Sequence, residues 1–264
     1  MVNNIILGLI QGITEFLPIS SSGHLYIAQV LFSMDISLPY EILLHIATLL
    51  SILIMYRNDI YTLLIGISKG IQTRTYNEEM RFSSFIILST LITVVLVYPF
   101  KDTFEELMIT NIPLVMRIIG ICLCITGAFL WLSSYINKRI KQRYYNTVSS
   151  ILVGIAQSIS ILPGLSRSGT TVSTLLMTGI EYNTALKISM FLNIPIITAA
   201  TFLMLIDGDF SALNTSDISI YIGFIISFIA GLCTIYVLKT IGPKIWNYWK
   251  YYCILLGIIL IYMY

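Results

Sequence analysis

The chain has 264 residues, of which 57% are hydrophobic and only 11% charged, with a formal net charge of +2. A soluble domain carries roughly 25% charged residues, so this balance, with a mean hydropathy of +0.88, excludes an ordinary water-soluble fold. It predicts an all-α integral membrane protein in a single membrane domain, with the bilayer as its solvent and no nucleic-acid partner.

In chain order, MVNNIILG lacks a basic leader and a small-residue cleavage site, so it is read as part of the fold rather than as a signal peptide. Residues 1–33 read as an apolar helix, a break from Pro18 to Gly23, and a second apolar helix. In a bilayer such a segment is a re-entrant hairpin, tolerated only where its tip is buried in protein or lines a wet cavity. Crossings of about 20 residues follow near 41–56, 82–98 and 112–136. A second hairpin spans 147–180, broken from Pro163 to Gly169, and three more crossings lie near 183–206, 217–238 and 248–264. Six transmembrane helices and two hairpins thus fall into halves 1–137 and 138–264. Cys122, Cys124, Cys233 and Cys253 sit in apolar stretches without metal-ligand spacing and read as packing residues.

Lys and Arg near span ends stay on the cytoplasmic side. Segments 57–81, 138–146, 181–187 and 239–250 hold twelve of the fifteen basic residues. The opposite loops hold Asp35, Glu41, Asp102, Glu105, Glu106, Asp207, Asp209 and Asp217, with Lys101 as their basic residue. Three crossings per half then invert the second half against the first, so hairpin one dips in from outside and hairpin two from inside. Inverted repeats with broken helices meeting at mid-membrane are the layout of many secondary transporters.

The two hairpins also carry one pattern twice. Gly8, Gln11, Ser20, Ser22 and Gly23 recur 146 residues later as Gly154, Gln157, Ser166, Ser168 and Gly169, with Pro18 answered one position out of register by Pro163. Inside the copies lie charges that a bilayer would reject. Arg117 reads as an interfacial anchor, but Arg167 at a tip requires an anionic partner, because a lone Arg at mid-depth costs several kcal/mol. The tips together offer Glu15, Ser20, Ser21, Ser22 and His24 from one side and Ser166, Arg167, Ser168, Thr170 and Thr171 from the other. A guanidinium, hydroxyls and two helix N-termini form an anion cradle suited to phosphate. Glu15 would repel that anion unless it is protonated or holds a divalent cation, or serves as an acid/base. His24 lies close enough in sequence to a tip serine to activate it, whereas His45, with no polar cluster around it, reads as a packing residue.

QGITEFLPISSSGHL and PGLSRSGTT resemble the two signature motifs of the undecaprenyl-diphosphate phosphatase family, the BacA-type bacitracin-resistance proteins, and the resemblance covers the whole chain. It implies a plasma-membrane hydrolase that removes one phosphate from a polyprenyl diphosphate at the outer face with a divalent cation, magnesium or calcium. This recycles the lipid carrier of cell-wall or glycan assembly. By position, the family's (E/Q)xxxE pair reads Gln11 and Glu15, leaving Glu15 as the acidic ligand or base. Its Ser and His match Ser21 and His24, and its Arg matches Arg167, flanked by Ser166 and Ser168 and followed by Thr171. On this reading Ser21 attacks phosphorus or positions a water, and His24 and Glu15 handle protons. Arg167, Ser20, Ser22, Ser166, Ser168 and Thr171 hold phosphate, while Gln11 orients Glu15 or contacts phosphate.

Two alternatives stay open from the sequence. The same cradle suits a transporter of polyprenyl phosphate. The Ser-Gly-His run at Ser22 to His24 hints at type 2 phosphatidic acid phosphatases, although their Lys-rich motif and closing His-x-x-x-Asp do not occur here. Ile, Asn and Tyr richness points to an AT-rich bacterial or archaeal genome, and prenyl chain length and oligomeric state are not legible.

Overall fold

The computed structural model describes residues 2–34, 38–100, 103, 111–207 and 217–264. Among these the chain is helical and carries no strand. Its helices are α1 (Val2–Thr14), α2 (Ser21–Leu31), α3 (Leu38–Met55), α4 (Arg57–Thr73), α5 (Glu78–Val97), α6 (Ile112–Asn137), α7 (Thr147–Ile159), α8 (Arg167–Met177), α9 (Tyr182–Asp207), α10 (Ile218–Ile245) and α11 (Trp249–Met263). The loop residues Asp35, Lys101, Asp102, Glu105, Glu106 and Asp209 lie outside the described residues, as does the side chain of Asp207.

Helix starts follow from local chemistry. The first amides of a helix have no intrahelical acceptor, and Ser, Asn or Asp at the N-cap supplies one. Asn77 accepts from the Met80 amide at 2.9 Å, Asn111 from Leu114 at 3.1 Å and Asp217 from Ser219 at 2.9 Å. Asn146 and Ser149 close a reciprocal capping box at the head of α7. Ser20 and Ser166, one from each copy of the repeat, cap α2 and α8 through the amides of Gly23 and Gly169 at 3.3 and 3.0 Å.

Four segments are long and apolar enough to cross a membrane: Glu78–Phe100, Ile112–Asn137, Tyr182–Ile206 and Ile218–Met263. A fifth is obtained if the pair Pro39–Met55 and Arg57–Thr73, bent by 71°, counts as one span. The chain is therefore a multi-pass membrane protein. Residues 57–73, expected within a cytoplasmic loop, instead form α4. Their Arg, Asn, Asp and Lys interrupt the apolar run, so the chain turns sharply at Tyr56 and leaves Tyr61, Leu64, Ile65 and Ile71 exposed. α10 also runs on through Lys239 and Lys244, with Gly242 and Pro243 carried inside its last turn.

Pairwise contacts fix helix directions. Asn4 donates to Ser219 at 2.6 Å and Gly12 lies against Ser227, so α1 and α10 run the same way. Ser227 donates to the Leu44 carbonyl and Ser51 to that of Phe228, which aligns α3 with them. α9 runs against α3: Asp59, just beyond the α3 end, pairs with Lys187 near the α9 start, and the Tyr56 and Phe191 rings meet edge to face. α5 and α7 run parallel, through Ser89 with Ser150 and Thr93 with Gly154, and Phe82 on Phe191 at one end, with Val97 and Ala200 lining one cavity further along, aligns α5 with α9. Hence α1 and α7, the first helices of the two hairpins, run in opposite directions and approach one another from opposite ends of the bundle.

Close approach explains one repeated glycine pair. A Cβ on Gly8 would collide with the Gly223 carbonyl, and one on Gly154 would lie 2.8 Å from the Ser89 carbonyl oxygen. Overpacking a tight contact costs about 1–3 kcal/mol, so Gly8→Val is expected to lower the unfolding midpoint in detergent, whereas Leu64→Val, on the exposed face of α4, should leave it nearly unchanged.

Candidate active site

The two hairpin tips are joined to each other by hydrogen bonds. The Gly164 amide donates to Ser20 Oγ at 3.0 Å, and Ser168 Oγ donates to the Leu17 carbonyl at 2.9 Å. α6 supports them through Thr126, whose hydroxyl donates to the Gly164 carbonyl at 3.2 Å and accepts from the Ser166 amide at 3.1 Å. Gly164 has φ +94°, and a Cβ there would lie 2.5 Å from the Ile119 carbonyl oxygen. Ser20 itself holds φ 70°, ψ 100°, a conformation that costs of order 1–3 kcal/mol outside glycine and persists where surrounding bonds fix it. Its side chain answers both the Gly23 and Gly164 amides.

That backbone places Ser21, the first residue of α2, over Glu15. Ser21 Oγ donates to Glu15 Oε2 at 2.6 Å, and Gln11 Nε2 donates to the same oxygen at 3.1 Å. Arg167, the first residue of α8, pairs with Glu15 Oε1 at 2.5 Å. Glu15 is only 5% exposed. A carboxylate so deeply buried stays ionised only with a charged partner and hydrogen bonds to its remaining lone pairs, and the opposite hairpin supplies the charge.

A cavity of about 300 Å³ opens beside this pair. Its polar wall comes from Glu15, Ser20, Ser21, Ser22, Ser166 and Arg167, so the expected nucleophile, carboxylate and guanidinium share one space with three tip hydroxyls. Its apolar wall comes from α3, α5 and α9 through Ile42, Val97, Ile196, Ile197 and Ala200. The N-termini of α2 and α8 both border it, which favours an anion there.

Other expected site residues lie elsewhere. His24 turns away from the cavity: Nδ1 takes the Ser20 carbonyl at 2.7 Å, and Nε2 meets the Tyr252 hydroxyl at 2.6 Å, with the rings stacked. One turn of helix beyond Ser20 carries its ring to α11, so the expected proton relay from His24 to Ser21 has no contact behind it. Ser168 is spent on the Leu17 carbonyl, and Thr171 on the Arg167 carbonyl at 2.8 Å and Ser189 at 2.8 Å. Both brace the tip from behind. Gln11 stands behind Glu15 and not at the cavity wall. Thr170 likewise bonds the Arg167 carbonyl.

Four polar residues line the cavity that the sequence reading left out: Thr93, Ser160, His45 and Gln157. His45, taken as a packing residue, lines the cavity with Nε2 3.4 Å from Glu15 Oε2. Its partner is thirty residues away in sequence, and no local pattern signals the contact. Gln157, the repeat counterpart of Gln11, also lines the cavity, held by Thr93 at 3.0 Å. Its signal was the repeat itself.

The donor set does not build a resident cation site. Among the described residues Glu15 is the one carboxylate at the cavity wall, and both its oxygens are engaged. Among the described residues no three His, Cys, Asp or Glu side chains gather to hold a metal.

The model of the bacitracin resistance protein BacA family matches residues 4–259. The chain belongs to the BacA bacitracin-resistance family. Its relatives include proteins named undecaprenyl-diphosphatase from Methanococcus maripaludis strain C5, 36% identical over 96% of each chain, and from Christiangramia forsetii, 35% identical over 96% of this chain and 94% of that one. A relative named undecaprenyl-diphosphatase 1 from Shouchella clausii is 34% identical over 98% and 95%.

In this BacA-family chain, removing one member of the buried pair strands the other. Such a loss costs about 3–5 kcal/mol. Arg167→Met is therefore expected to destabilise the chain strongly in detergent unfolding. Adding Glu15→Gln should recover much of the loss, and simple additivity of the two substitutions would contradict the pairing.

Proposed function

We propose that the chain is an undecaprenyl-diphosphatase, which converts a polyprenyl diphosphate to its monophosphate and inorganic phosphate. The observation that carries the reading is the Ser21 hydroxyl, 2.6 Å from a carboxylate that is paired with a guanidinium, in a cavity with one polar and one apolar wall. The diphosphate sits on the polar wall, and the isoprenoid chain leaves along Ile42, Val97, Ile196 and Ile197 toward lipid.

Ser21 Oγ attacks the terminal phosphorus while Glu15 Oε2 takes its proton. The anhydride P–O bond breaks, and its electron pair leaves on the polyprenyl monophosphate. Glu15 passes that proton to the departing monophosphate and, ionised again, takes a proton from the water that attacks the phosphoserine. The P–Oγ bond then breaks, Ser21 Oγ recovers the proton and inorganic phosphate leaves. A guanidinium has five N–H donors, so Arg167 keeps Glu15 with one edge and turns the rest to phosphate oxygens, where charge develops. Ser20, Ser22 and Ser166 complete the shell. A magnesium or calcium ion would find in Glu15 the carboxylate at this cavity wall and would supply charge neutralisation at phosphate.

The surrounding architecture belongs to the same proposal. The segment Ile218–Met263, 46 residues long, would extend about 69 Å at 1.5 Å per residue, over twice the ~30 Å hydrocarbon core. It makes two crossings, giving six with α3, α5, α6 and α9. The opposed directions of α1 and α7 support an inverted repeat whose re-entrant hairpins meet at mid-membrane, in the plasma membrane and with the cavity served from the outer face.

Purified protein given undecaprenyl diphosphate is expected to release phosphate, with Ser21→Ala lowering turnover by about 10³-fold or more. Acid quench during turnover should trap a chain heavier by one phosphoryl group, mapping to Ser21. Near-full turnover in Ser21→Ala ends the nucleophile assignment.

A further inference from the structure

Among the described residues that hydrogen-bond or ion-pair with Glu15, His45 is the one from neither hairpin. It sits on α3, lines the cavity, and presents Nε2 to Glu15 Oε2 at 3.4 Å. Its other ring nitrogen, Nδ1, is 2.8 Å from the backbone carbonyl of Glu41 one turn earlier. A carbonyl and a carboxylate oxygen both only accept, so both ring nitrogens carry hydrogens: the imidazolium is pinned to its own helix through Nδ1 and turns the Nε2 hydrogen toward Glu15. The Nε2 edge then stands at a fixed place against the oxygen that also receives Ser21 and Gln11.

Diphosphate changes the balance around Glu15. Arg167, which holds Oε1 at 2.5 Å, must share its N–H groups with phosphate oxygens, so the strongest restraint on the carboxylate weakens at the moment its orientation matters. Gln11 restrains Oε2 from within α1. His45 restrains it from a separate helix.

We propose that His45 is a positioning residue for the reaction, holding the Glu15 carboxylate so that Oε2 stays on the Ser21 hydroxyl once Arg167 is drawn to the diphosphate. The proposal rests on the reading of Ser21 as nucleophile and Glu15 as its base. It predicts an effect on the chemical step, with little on affinity.

Two amide substitutions separate the roles of the two ring nitrogens. The amide of Asn reaches about as far as Nδ1, so His45→Asn keeps the bond to Glu41 and loses Glu15. The amide of Gln reaches about as far as Nε2, so His45→Gln keeps an N–H donor for Glu15. Phosphate release from undecaprenyl diphosphate should show kcat down about 10- to 100-fold in His45→Asn, the scale of a misplaced reacting group, with KM within about threefold, the signature of an interaction felt in the transition state. His45→Gln should recover most of that turnover. Equal turnover in His45→Asn and wild type, equal loss in both variants with folds intact, or a change confined to KM would each overturn the proposal. Failure of the underlying reading shows separately, as wild-type turnover in Ser21→Ala.

Discussion

One ion pair organises this protein. Glu15 closes the first hairpin and Arg167 opens the helix that follows the tip of the second, and they meet where neither has enough water to stand alone. An unpaired charge at that depth costs several kcal/mol, so each hairpin is stable in its place only if the other is in its own. Buried pairs are rarely a gain over well-packed apolar residues. Retaining one implies that its chemistry is used.

The surrounding bonds turn that constraint into geometry. Ser20 adopts an uncommon backbone conformation because amides from both hairpins converge on its hydroxyl, and this swings Ser21 onto the carboxylate. The same cap at Ser166 puts Arg167 at the first position of α8. Two helix N-termini and a guanidinium therefore surround one cavity from opposite sides, with a serine hydrogen-bonded to a carboxylate. The apolar wall from α3, α5 and α9 gives that polar corner an outlet suited to an isoprenoid.

Much of this was legible in the chain because the repeat is a physical one. Gly8 and Gly154 recur because each lies where another helix backbone approaches too closely for a side chain, and Ser20 and Ser166 recur because each caps the returning helix. The need of Arg167 for an anionic partner was legible without any coordinates, while the pairing with Glu15 itself came from the fold. What spacing does not carry is the direction in which a side chain leaves its helix. His24 is three positions beyond Ser21, near enough in sequence to be read as its base, yet it lies toward α11 and Tyr252. His45 stood in an apolar run with no polar neighbour and proved to border Glu15. Likewise the basic residues of 57–81 placed it outside the spans, and packing on α5 and the turn at Tyr56 show that 57–73 is a helix.

The central claim, that the paired hairpin tips grip the diphosphate, is tested most directly by a structure with a non-hydrolysable methylene-bridged prenyl diphosphonate bound. The account predicts Arg167 nitrogens at about 3 Å from the terminal phosphonate oxygens, with Ser21 Oγ aligned behind that phosphorus and the prenyl chain along Ile196 and Ile197. A phosphonate seated instead at the opposite end of the bundle, beside Asp59 and Lys187, with Glu15 and Arg167 undisturbed, would contradict it.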